Sequence, residues 1–174
     1  IKPASGGSSI GMSIVSDTGD LQQAIETART HDDTVLVEAY IEGTELTGGV
    51  IGNDNLELLP VVEIIPGEAF RFFDYEAKYT PGATKEVCPA DIDRDLTEKV
   101  QACACRAHTA LCCKGYSRTD MIARGDDVFV LETNTIPGMV PTSLLPLAAR
   151  TAGISFADLL DRLIALSLEN RHEK

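Results

Sequence analysis

The stretch that decides the fold of this chain is residues 115–134, which read GYSRTDMIARGDDVFVLETN. Two runs rich in apolar residues, Tyr116–Ala123 and Val128–Thr133, flank the turn-forming residues 124–127. Runs of this kind on either side of a turn that contains Gly and Asp are typical of two antiparallel strands. The stretch therefore predicts a β-hairpin late in the chain.

Three oxygen-bearing side chains lie on this hairpin. Asp120 is on its first strand, and Glu132 and Asn134 are near the end of its second strand. Residues i and i+2 of a strand share a face, so Glu132 and Asn134 project together, and the neighbouring strand can bring Asp120 beside them. Two carboxylates and an amide oxygen suit a nucleotide-bound Mg²⁺, which completes its shell with water and phosphate oxygens. The alternative is a solvated strand edge with incidental acids.

Arg118 precedes Asp120 by two residues and therefore shares its face. A guanidinium beside metal-bound phosphate suits the stabilisation of charge in a phosphoryl or acyl-phosphate transition state. The alternative is a structural ion pair between Arg118 and one of the same acids.

The other elements follow from hydrophobic periodicity and turn residues. We expect helices over 20–31 (with Asp20 as the N-cap), 93–113, 143–152 and 156–168, the last two separated by Gly153. We expect a buried strand over 34–40, and strands over 45–51 and 56–65 joined by a turn at 52–55. Residues 66–90 predict a long loop with a short extended piece at 72–75. Hairpins mixed with helices favour an α+β fold over a doubly wound parallel sheet.

Composition limits the class of protein. A net charge of −12 argues against nucleic acid or an anionic membrane as a partner. Five cysteines, four of them within one predicted helix, match neither a disulfide framework nor a zinc site. We expect them to serve as small apolar residues in a reducing cytoplasm. The chain opens with Ile1-Lys2-Pro3 and no Met, and we expect it to be a piece cut from a longer protein.

Two further segments suit phosphate. Lys2 precedes a Gly- and Ser-rich loop at residues 5–11, whose backbone N–H groups and hydroxyls can cradle an anion, although such loops are also common linkers. Lys78, in the long loop, offers a second cation.

Several segments are specific as a set. They are Lys2-Pro3 with Gly7-Ser8-Ser9-Ile10-Gly11, Asp74-Tyr75-Glu76-Ala77-Lys78-Tyr79, Gly115-Tyr116-Ser117-Arg118-Thr119-Asp120, Leu131-Glu132-Thr133-Asn134-Thr135-Ile136-Pro137-Gly138-Met139, Ser143-Leu144-Leu145-Pro146 and Ala152-Gly153-Ile154-Ser155-Phe156. In this order and over essentially the whole chain, they resemble the D-alanine–D-alanine ligases of the ATP-grasp superfamily. The resemblance implies an ATP-grasp fold, with 1–65 as a truncated central subdomain and 66–174 as the C-terminal subdomain, whose lid loop is 66–90.

The resemblance also implies site residues. The implied ATP-binding residues are Lys2, Ser8, Ser9, Glu38, Ala39, Ile41, Glu45, Phe72, Lys78 and Leu131. The implied metal ligands are Asp120, Glu132 and Asn134, for two ions of Mg²⁺ or Mn²⁺. The implied catalytic residues are Arg118, the backbone N–H of Gly138, Ser8 and Tyr79, and Ser143 with Leu144 would receive the carboxylate of the second D-alanine.

The implied reaction phosphorylates one D-alanine to an acyl phosphate, which the amine of a second D-alanine attacks, in the cytoplasm and for peptidoglycan and cell-wall synthesis. Tyr79 would hydrogen-bond toward Ser8 and close a lid over the acyl phosphate. A Tyr at that position favours D-alanine as the acceptor, and D-lactate and D-serine stay open as alternatives.

The chain departs from the family in three ways. It has Gly6 where Glu is usual and Ser117 where Gly is common. The family's N-terminal domain, which carries an acidic residue for the first D-alanine, has no counterpart here, and neither has the upstream piece that supplies a further phosphate-binding Lys. We therefore expect the N-terminal domain of the same enzyme as a partner and a homodimer when intact. The chain alone is expected to bind nucleotide and metal without turnover.

Overall fold

The structure is a computed structural model that describes residues 1–7, 9–67 and 84–169. Its helices are α1 (Leu21–Arg29), α2 (Arg94–Ala110), α3 (Leu144–Thr151) and α4 (Phe156–Glu169), and a 3₁₀ turn, Thr18–Asp20, precedes α1. Its strands are β1 (Lys2–Pro3), β2 (Val35–Leu36), β3 (Thr44–Gly52), β4 (Glu57–Leu58), β5 (Val62–Pro66), β6 (Thr84–Val87), β7 (Gly115–Arg124) and β8 (Asp127–Asn134). The predictions for Ser8, Phe72, Lys78, Tyr79 and the piece at 72–75 lie outside the described residues.

The chain divides into two compact units. One contains residues 1–41 and the described residues of 66–85, and the other contains 42–65 and the described residues from 86 onward. Our sequence prediction instead grouped 1–65 and 66–174. The strands of residues 44–66 pair with β7 and with one another, which is why the second unit includes most of them. The predicted subdomain division stays a prediction.

The first unit is built on the short antiparallel pair of β1 and β2, in which Lys2 lies opposite Leu36. Helix α1 buries Ala24 and Ala28. The buried strand predicted over 34–40 is wrong, because β2 ends at Leu36 and the following residues are exposed, with Val37 at 66%. Strand β1 is only two residues long, so it offers no further residues with which the segment after Leu36 could pair.

The second unit is an antiparallel sheet covered by helices. Among the described strands the order is β6-β5-β3-β7-β8, with β4 paired to β3. Alternate residues of β7, from Ser117 to Ala123, are buried, and the residues between them are partly exposed. The two faces of β7 are therefore chemically different, as a half-buried strand requires.

Helix α2 covers the buried face of the sheet. The core there contains the apolar residues Leu46, Val50, Val61, Val100, Ala104, Met121 and Ala123. Gly48 lets the helix approach β3 closely, since a Cβ at this position would lie 2.8 Å from the Cβ of Ala104. The Asp93 side chain caps α2 by accepting a hydrogen bond from the Leu96 N–H at 2.8 Å.

Most other elements match their prediction, with three corrections. The strand expected over 56–65 is two strands, β4 and β5, with Pro60 between them. Helix α2 ends at Ala110 rather than 113, because Cys112 has a left-handed backbone with φ 53°. Residues 84–87, expected in a loop, form β6. Asp20 is the N-cap of α1 as predicted, although its side chain makes no capping hydrogen bond.

Two further features of the described residues concern the cysteines and the length of the helices. The five cysteines are free, four of them half-buried and Cys112 exposed. Within the described part of the chain, none of the helices has the length and apolar content needed to span a bilayer.

Candidate functional site

The register of β7 and β8 brings the predicted metal ligands to one face of the sheet. Asp120 lies directly opposite Glu132, and Arg118 lies directly opposite Asn134. Residues that face each other across an antiparallel pair point to the same side, as do residues i and i+2 of one strand. All four side chains therefore share the partly exposed face of the sheet, as the sequence analysis predicts.

A β-bulge at Leu131 turns the polar end of β8 toward this face. Asp120 pairs with Glu132, but Met121 pairs with Val130, so Leu131 is an extra residue in β8. Strict alternation would place Glu132 on the same side as Val130, which is the side that Met121 buries beneath α2. The bulge lets the apolar start of β8 face the core while Glu132 faces Asp120.

Asp120 is held by two partners. Arg118 forms a bidentate ion pair with it, from Nε to Oδ1 at 2.9 Å and from Nη2 to Oδ2 at 2.7 Å. The buried Thr47 hydroxyl donates to Asp120 Oδ1 at 2.6 Å. The Arg118 and Asp120 side chains are only 15% and 21% exposed, so this pair is far better fixed than a surface salt bridge.

The ion pair considered as the alternative role of Arg118 is therefore present in the structure. It does not exclude the charge-stabilising role, because a fixed guanidinium is what that role needs. Sequence reasoning missed Thr47, whose contact with Asp120 depends on β3 lying next to β7 in the sheet.

The donor set fits a magnesium ion that is shared with a nucleotide. Glu132 is exposed, and the Asn134 side-chain oxygen accepts a hydrogen bond from the Ile136 N–H at 3.2 Å. Among the described residues, no group of three His, Cys, Asp or Glu side chains is placed to hold a metal alone. Two carboxylates and one amide oxygen on an open face leave coordination positions for phosphate and water, which Mg²⁺ ordinarily retains.

Glu86 on β6 is a further acid that is influenced by the charge of Arg118, and sequence reasoning missed it. Loss of hydration raises the pKa of Glu86, and the positive charge of Arg118 partly opposes that rise. The electrostatic influence of Arg118 thus extends to a carboxylate beyond its ion-pair partner.

Gly138 and Ser143 are adjacent in the structure. A Cβ on Gly138 would lie 2.8 Å from the Ser143 Oγ. Ser143 is the N-cap of α3, and its side chain makes no capping hydrogen bond. Leu144 is buried, so any contact that it makes with a ligand would come from its backbone. A hydroxyl that is not used for capping, at a helix N-terminus, is a suitable place for a carboxylate.

The remaining predicted nucleotide residues divide between the two units. In the first unit, the Lys2 ammonium lies 2.9 Å from the Glu38 carboxylate, and Ala39, Ile41 and Ser9 belong to the same unit. In the second unit, Glu45 lies opposite Ile122 in the register of β3 and β7 and so shares the face of Asp120. Leu131, the bulge residue, is 43% exposed.

A buried polar pair lies on the opposite face of β7. His108 Nδ1 and Ser117 Oγ are 2.8 Å apart, and both residues are buried. The His108 Nε2 has no partner among the described residues. Ser117, where the family commonly has Gly, thus forms a buried hydrogen bond with His108 of α2. Sequence reasoning missed this contact.

Comparison with known proteins gives one family. A family model described as "D-ala D-ala ligase C-terminus" matches residues 1–165. A D-alanine–D-alanine ligase of Syntrophobacter fumaroxidans is 61% identical over 98% of this chain and 55% of the relative. The corresponding ligase of Desulfotalea psychrophila is 52% identical over 100% of this chain and 55% of the relative.

Solved structures agree with this family. The Bacillus anthracis D-alanine–D-alanine ligase complexed with ATP is 34% identical, with a TM-score of 0.82 over 99% of this chain and 53% of the other. The VanG D-Ala:D-Ser ligase of Enterococcus faecalis is 38% identical, with a TM-score of 0.82 over 95% and 48%. The predicted α+β, ATP-grasp fold is confirmed, and the chain spans about half the length of its relatives. The chain belongs to the D-alanine–D-alanine ligase family and corresponds to its C-terminal part.

Proposed function

We propose that this chain is the ATP- and metal-binding part of an ADP-forming ligase that joins two D-alanines to D-alanyl-D-alanine through an acyl phosphate. The observation that carries the proposal is the cross-strand pair of Asp120 and Glu132, which lies beside the fixed guanidinium of Arg118. Family membership supports the choice of reaction, since the relatives are named for it.

Asp120, Glu132 and Asn134 would hold Mg²⁺ or Mn²⁺, with two ions expected. A metal ion bound to ATP neutralises charge on the phosphates during phosphoryl transfer. Asp120 would keep its hydrogen bond from Thr47, which fixes the orientation of the carboxylate. Glu132, which is exposed, can approach a phosphate-bound ion from the solvent side.

The first step would transfer the γ-phosphoryl group of ATP to a carboxylate oxygen of the first D-alanine, with ADP as the leaving group. In the second step, the amine of the second D-alanine would form a bond to the acyl carbon and lose a proton as phosphate leaves. The oxyanion of the tetrahedral intermediate needs donors. Arg118 and the backbone N–H of Gly138 are suited to supply them.

The second D-alanine would be held through its carboxylate by the Ser143 hydroxyl and the Leu144 N–H at the start of α3. The Ser143 side chain makes no capping bond, and the partial positive charge of the helix N-terminus favours an anion there. The closeness of Gly138 to Ser143 would place the acceptor next to the oxyanion donor.

Both members of the Lys2–Glu38 ion pair would contact the nucleotide. Lys2, with Lys78, would bind phosphates, and phosphate would then replace Glu38 as the partner of Lys2. Glu38, Ala39 and Ile41 would border adenine, Phe72 and Leu131 would pack near the base, and Glu45 would hold the ribose. Ser8, Ser9 and Tyr79 would close over the phosphates and exclude water.

We propose that turnover also needs the part of the enzyme outside the region that this chain matches in its relatives. The chain spans 55% of its curated relatives, and we propose the N-terminal domain of the same enzyme as its partner, in a cytoplasmic homodimer that serves peptidoglycan synthesis. The chain alone would bind ATP and metal without turnover. The similarity to a D-Ala:D-Ser ligase favours D-serine as the alternative acceptor.

A chimera tests the proposal. This chain replaces the matching residues of the Syntrophobacter fumaroxidans ligase, which restores a full-length protein. We expect ADP release that depends on D-alanine and on Mg²⁺ from the chimera, and ATP binding without turnover from the isolated chain. A correctly folded chimera that turns over only with D-serine would contradict the acceptor assignment. A correctly folded chimera that releases no ADP with D-alanine, whether alone or together with D-serine or D-lactate, would contradict the ligase proposal.

A further inference from the structure

The two oxygens of the Asp120 carboxylate have different surroundings. Oδ1 accepts two hydrogen bonds, one from the Thr47 hydroxyl at 2.6 Å and one from Arg118 Nε at 2.9 Å. Within the part of the chain that the structure describes, Oδ2 accepts one, from Arg118 Nη2 at 2.7 Å. A carboxylate oxygen has about two lone-pair positions, so both positions of Oδ1 are taken, whereas Oδ2 keeps one open.

Thr47 holds the carboxylate in place independently of Arg118. It lies on β3, a different strand from Arg118, and it is buried. Its hydroxyl also lies 3.1 Å from the Thr119 carbonyl, but it has a single proton, and the shorter bond to a charged acceptor is the stronger one. The carboxylate would therefore keep its orientation, through Oδ1, if the outer end of the guanidinium moved away.

Arg118 competes with the metal ion that Asp120 is proposed to hold. A Mg²⁺ ion lies about 2.1 Å from a carboxylate oxygen that binds it. Arg118 Nη2, which carries positive charge, already lies 2.7 Å from Oδ2, and the two side chains are only 15% and 21% exposed. Two cations on one oxygen repel each other strongly where so little water screens them. Oδ1 offers no better position, because both of its lone pairs are occupied.

We propose that Asp120 exchanges Arg118 Nη2 for the metal ion at Oδ2, while Arg118 Nε stays bonded to Oδ1. This inference rests on the proposed function for the presence of a metal ion at Asp120. The exchange needs only a turn of the guanidinium about its Nε, since the Thr47 hydroxyl keeps the carboxylate in position. Oδ1 is thus the anchoring oxygen of Asp120, and Oδ2 is the exchangeable one.

The exchange would make Arg118 available only after the metal has bound. In the metal-free site, Asp120 neutralises the guanidinium and occupies its Nη2 donor. Once Oδ2 has a new partner, Nη2 can donate to an anionic oxygen of the reacting groups, and the Nε bond still holds the guanidinium in place. By linkage, an anion that draws Nη2 away from Oδ2 tightens metal binding by the same factor. Metal and anionic substrate would therefore bind cooperatively.

Proton–nitrogen NMR of arginine side chains tests the exchange in the chimera, with the Arg118 signals assigned through bonds to its own backbone. The site is saturated with Mg²⁺ and the β,γ-imido analogue of ATP, which does not transfer its phosphoryl group. We expect the Nη2–H signal to shift on saturation while the Nε–H signal keeps its position. An Nη2–H signal that stays in place, or an Nε–H signal that moves as far as Nη2–H, would overturn the proposal.

The affinity for Mn²⁺ alone is a second measurement, made without nucleotide so that contacts between Arg118 and phosphate play no part. Arg118→Lys keeps the charge, but a lysine has one nitrogen and cannot occupy both oxygens of a carboxylate. We expect this variant of the chimera to bind Mn²⁺ several-fold more tightly, as measured by electron paramagnetic resonance of the free ion. Arg124→Lys, the same change at the end of β7, is the matched control and should leave the affinity unchanged. Equal affinities in Arg118→Lys and the original chimera would also overturn the exchange.

Neither measurement depends on turnover, so failure of the exchange can be distinguished from failure of the proposed function. Calorimetry of the chimera with Mg²⁺ and the same ATP analogue shows whether the site binds at all. Saturable, metal-dependent binding with unchanged Arg118 signals would overturn the exchange alone. The absence of metal-dependent binding would overturn both the exchange and the proposed metal site.

Discussion

Asp120 and Glu132 face each other across β7 and β8, and the ladder slips by one residue immediately beyond that pair. The two carboxylates share the open face of the sheet only because Leu131 is accommodated as a bulge. Before the bulge, β8 packs on the core. Beyond the bulge, it carries the proposed metal ligands. The hairpin thus serves packing and binding with different parts of one strand.

Glu132→Ala in the chimera should abolish Mg²⁺-dependent ADP release. We expect a loss of at least about a hundredfold, because a catalytic metal ion supplies several kcal/mol of transition-state stabilisation. Unfolding free energy should change by no more than about 0.5 kcal/mol, since Glu132 is exposed and its removal opens no core cavity. Circular dichroism on heating checks the fold, and calorimetry with Mg²⁺–ATP checks binding.

Asp127→Ala is the matched control for that variant. Asp127 is an exposed acid at the start of the same strand, on the turn side of the bulge. Its removal should leave turnover and Mg²⁺–ATP affinity unchanged. Equal losses in the two variants would show that general negative charge, rather than a specific ligand, supports activity.

Thr47→Val should destabilise the chain by about 1–3 kcal/mol, which is the usual effect of removing a hydrogen bond to a partly buried charged group. The substitution keeps the size of the side chain and removes the hydroxyl that donates to Asp120 at 2.6 Å. Thr47→Ser keeps the hydroxyl and is the control. Urea denaturation gives the difference, and equal midpoints for the two variants would mean that the Thr47 hydroxyl does not stabilise Asp120.

The predictions that succeeded from sequence rest on local signals. The hairpin of β7 and β8 is specified by the turn residues 124–127, and α2 by its apolar spacing and by Asp93. The common face of Glu132 and Asn134 also follows from their i, i+2 spacing once the hairpin is accepted, whereas the position of Asp120 beside them depends on the bulge. The functional roles came from the family resemblance, and they stay predictions.

The predictions that failed concern pairing between distant residues. Val37 has an apolar side chain in a β-branched run, but it remains exposed, because burial needs a second layer that hydrophobicity alone does not supply. Thr47 and Asp120 are 73 residues apart and meet only through the order of strands in the sheet. The bulge at Leu131 depends on the pairing register of β7 and β8, which the periodicity of a single strand does not reveal.

Gly138→Ala should weaken acceptor binding in the chimera. The added Cβ would lie 2.8 Å from the Ser143 Oγ, so the hydroxyl must move away from its present position. We expect the KM for the second D-alanine to rise about tenfold, equivalent to ~1.4 kcal/mol, with a small effect on the affinity for ATP. Steady-state kinetics at varied D-alanine measure this.

Ser143→Ala provides the comparison for Gly138→Ala. If both substitutions act by removing the same hydroxyl contact, the double variant should lose little more than either single variant. Fully additive losses would indicate that Gly138 acts separately, through its backbone N–H. No change in KM in either variant would contradict the placement of the acceptor at α3.

The stability of the chain should fall on mild acidification because of His108. Burial lowers the pKa of His108 below its ordinary value. The unfolded chain therefore takes up a proton at a higher pH than the folded chain does. The stability that neutral His108 contributes is complete above a pH of about 6.5 and is lost as the pH falls through the folded pKa.

His108→Gln is the variant that isolates this effect, because Gln can still hydrogen-bond to Ser117 and does not titrate in this range. Urea denaturation at several pH values from 7.5 to 5 should show a smaller loss of unfolding free energy in the variant than in the original chain. His31→Gln, which changes an exposed histidine of the first unit, should retain the original dependence. Parallel curves for the original chain and His108→Gln would mean that His108 is hydrated in solution and that the buried Ser117 pair does not form.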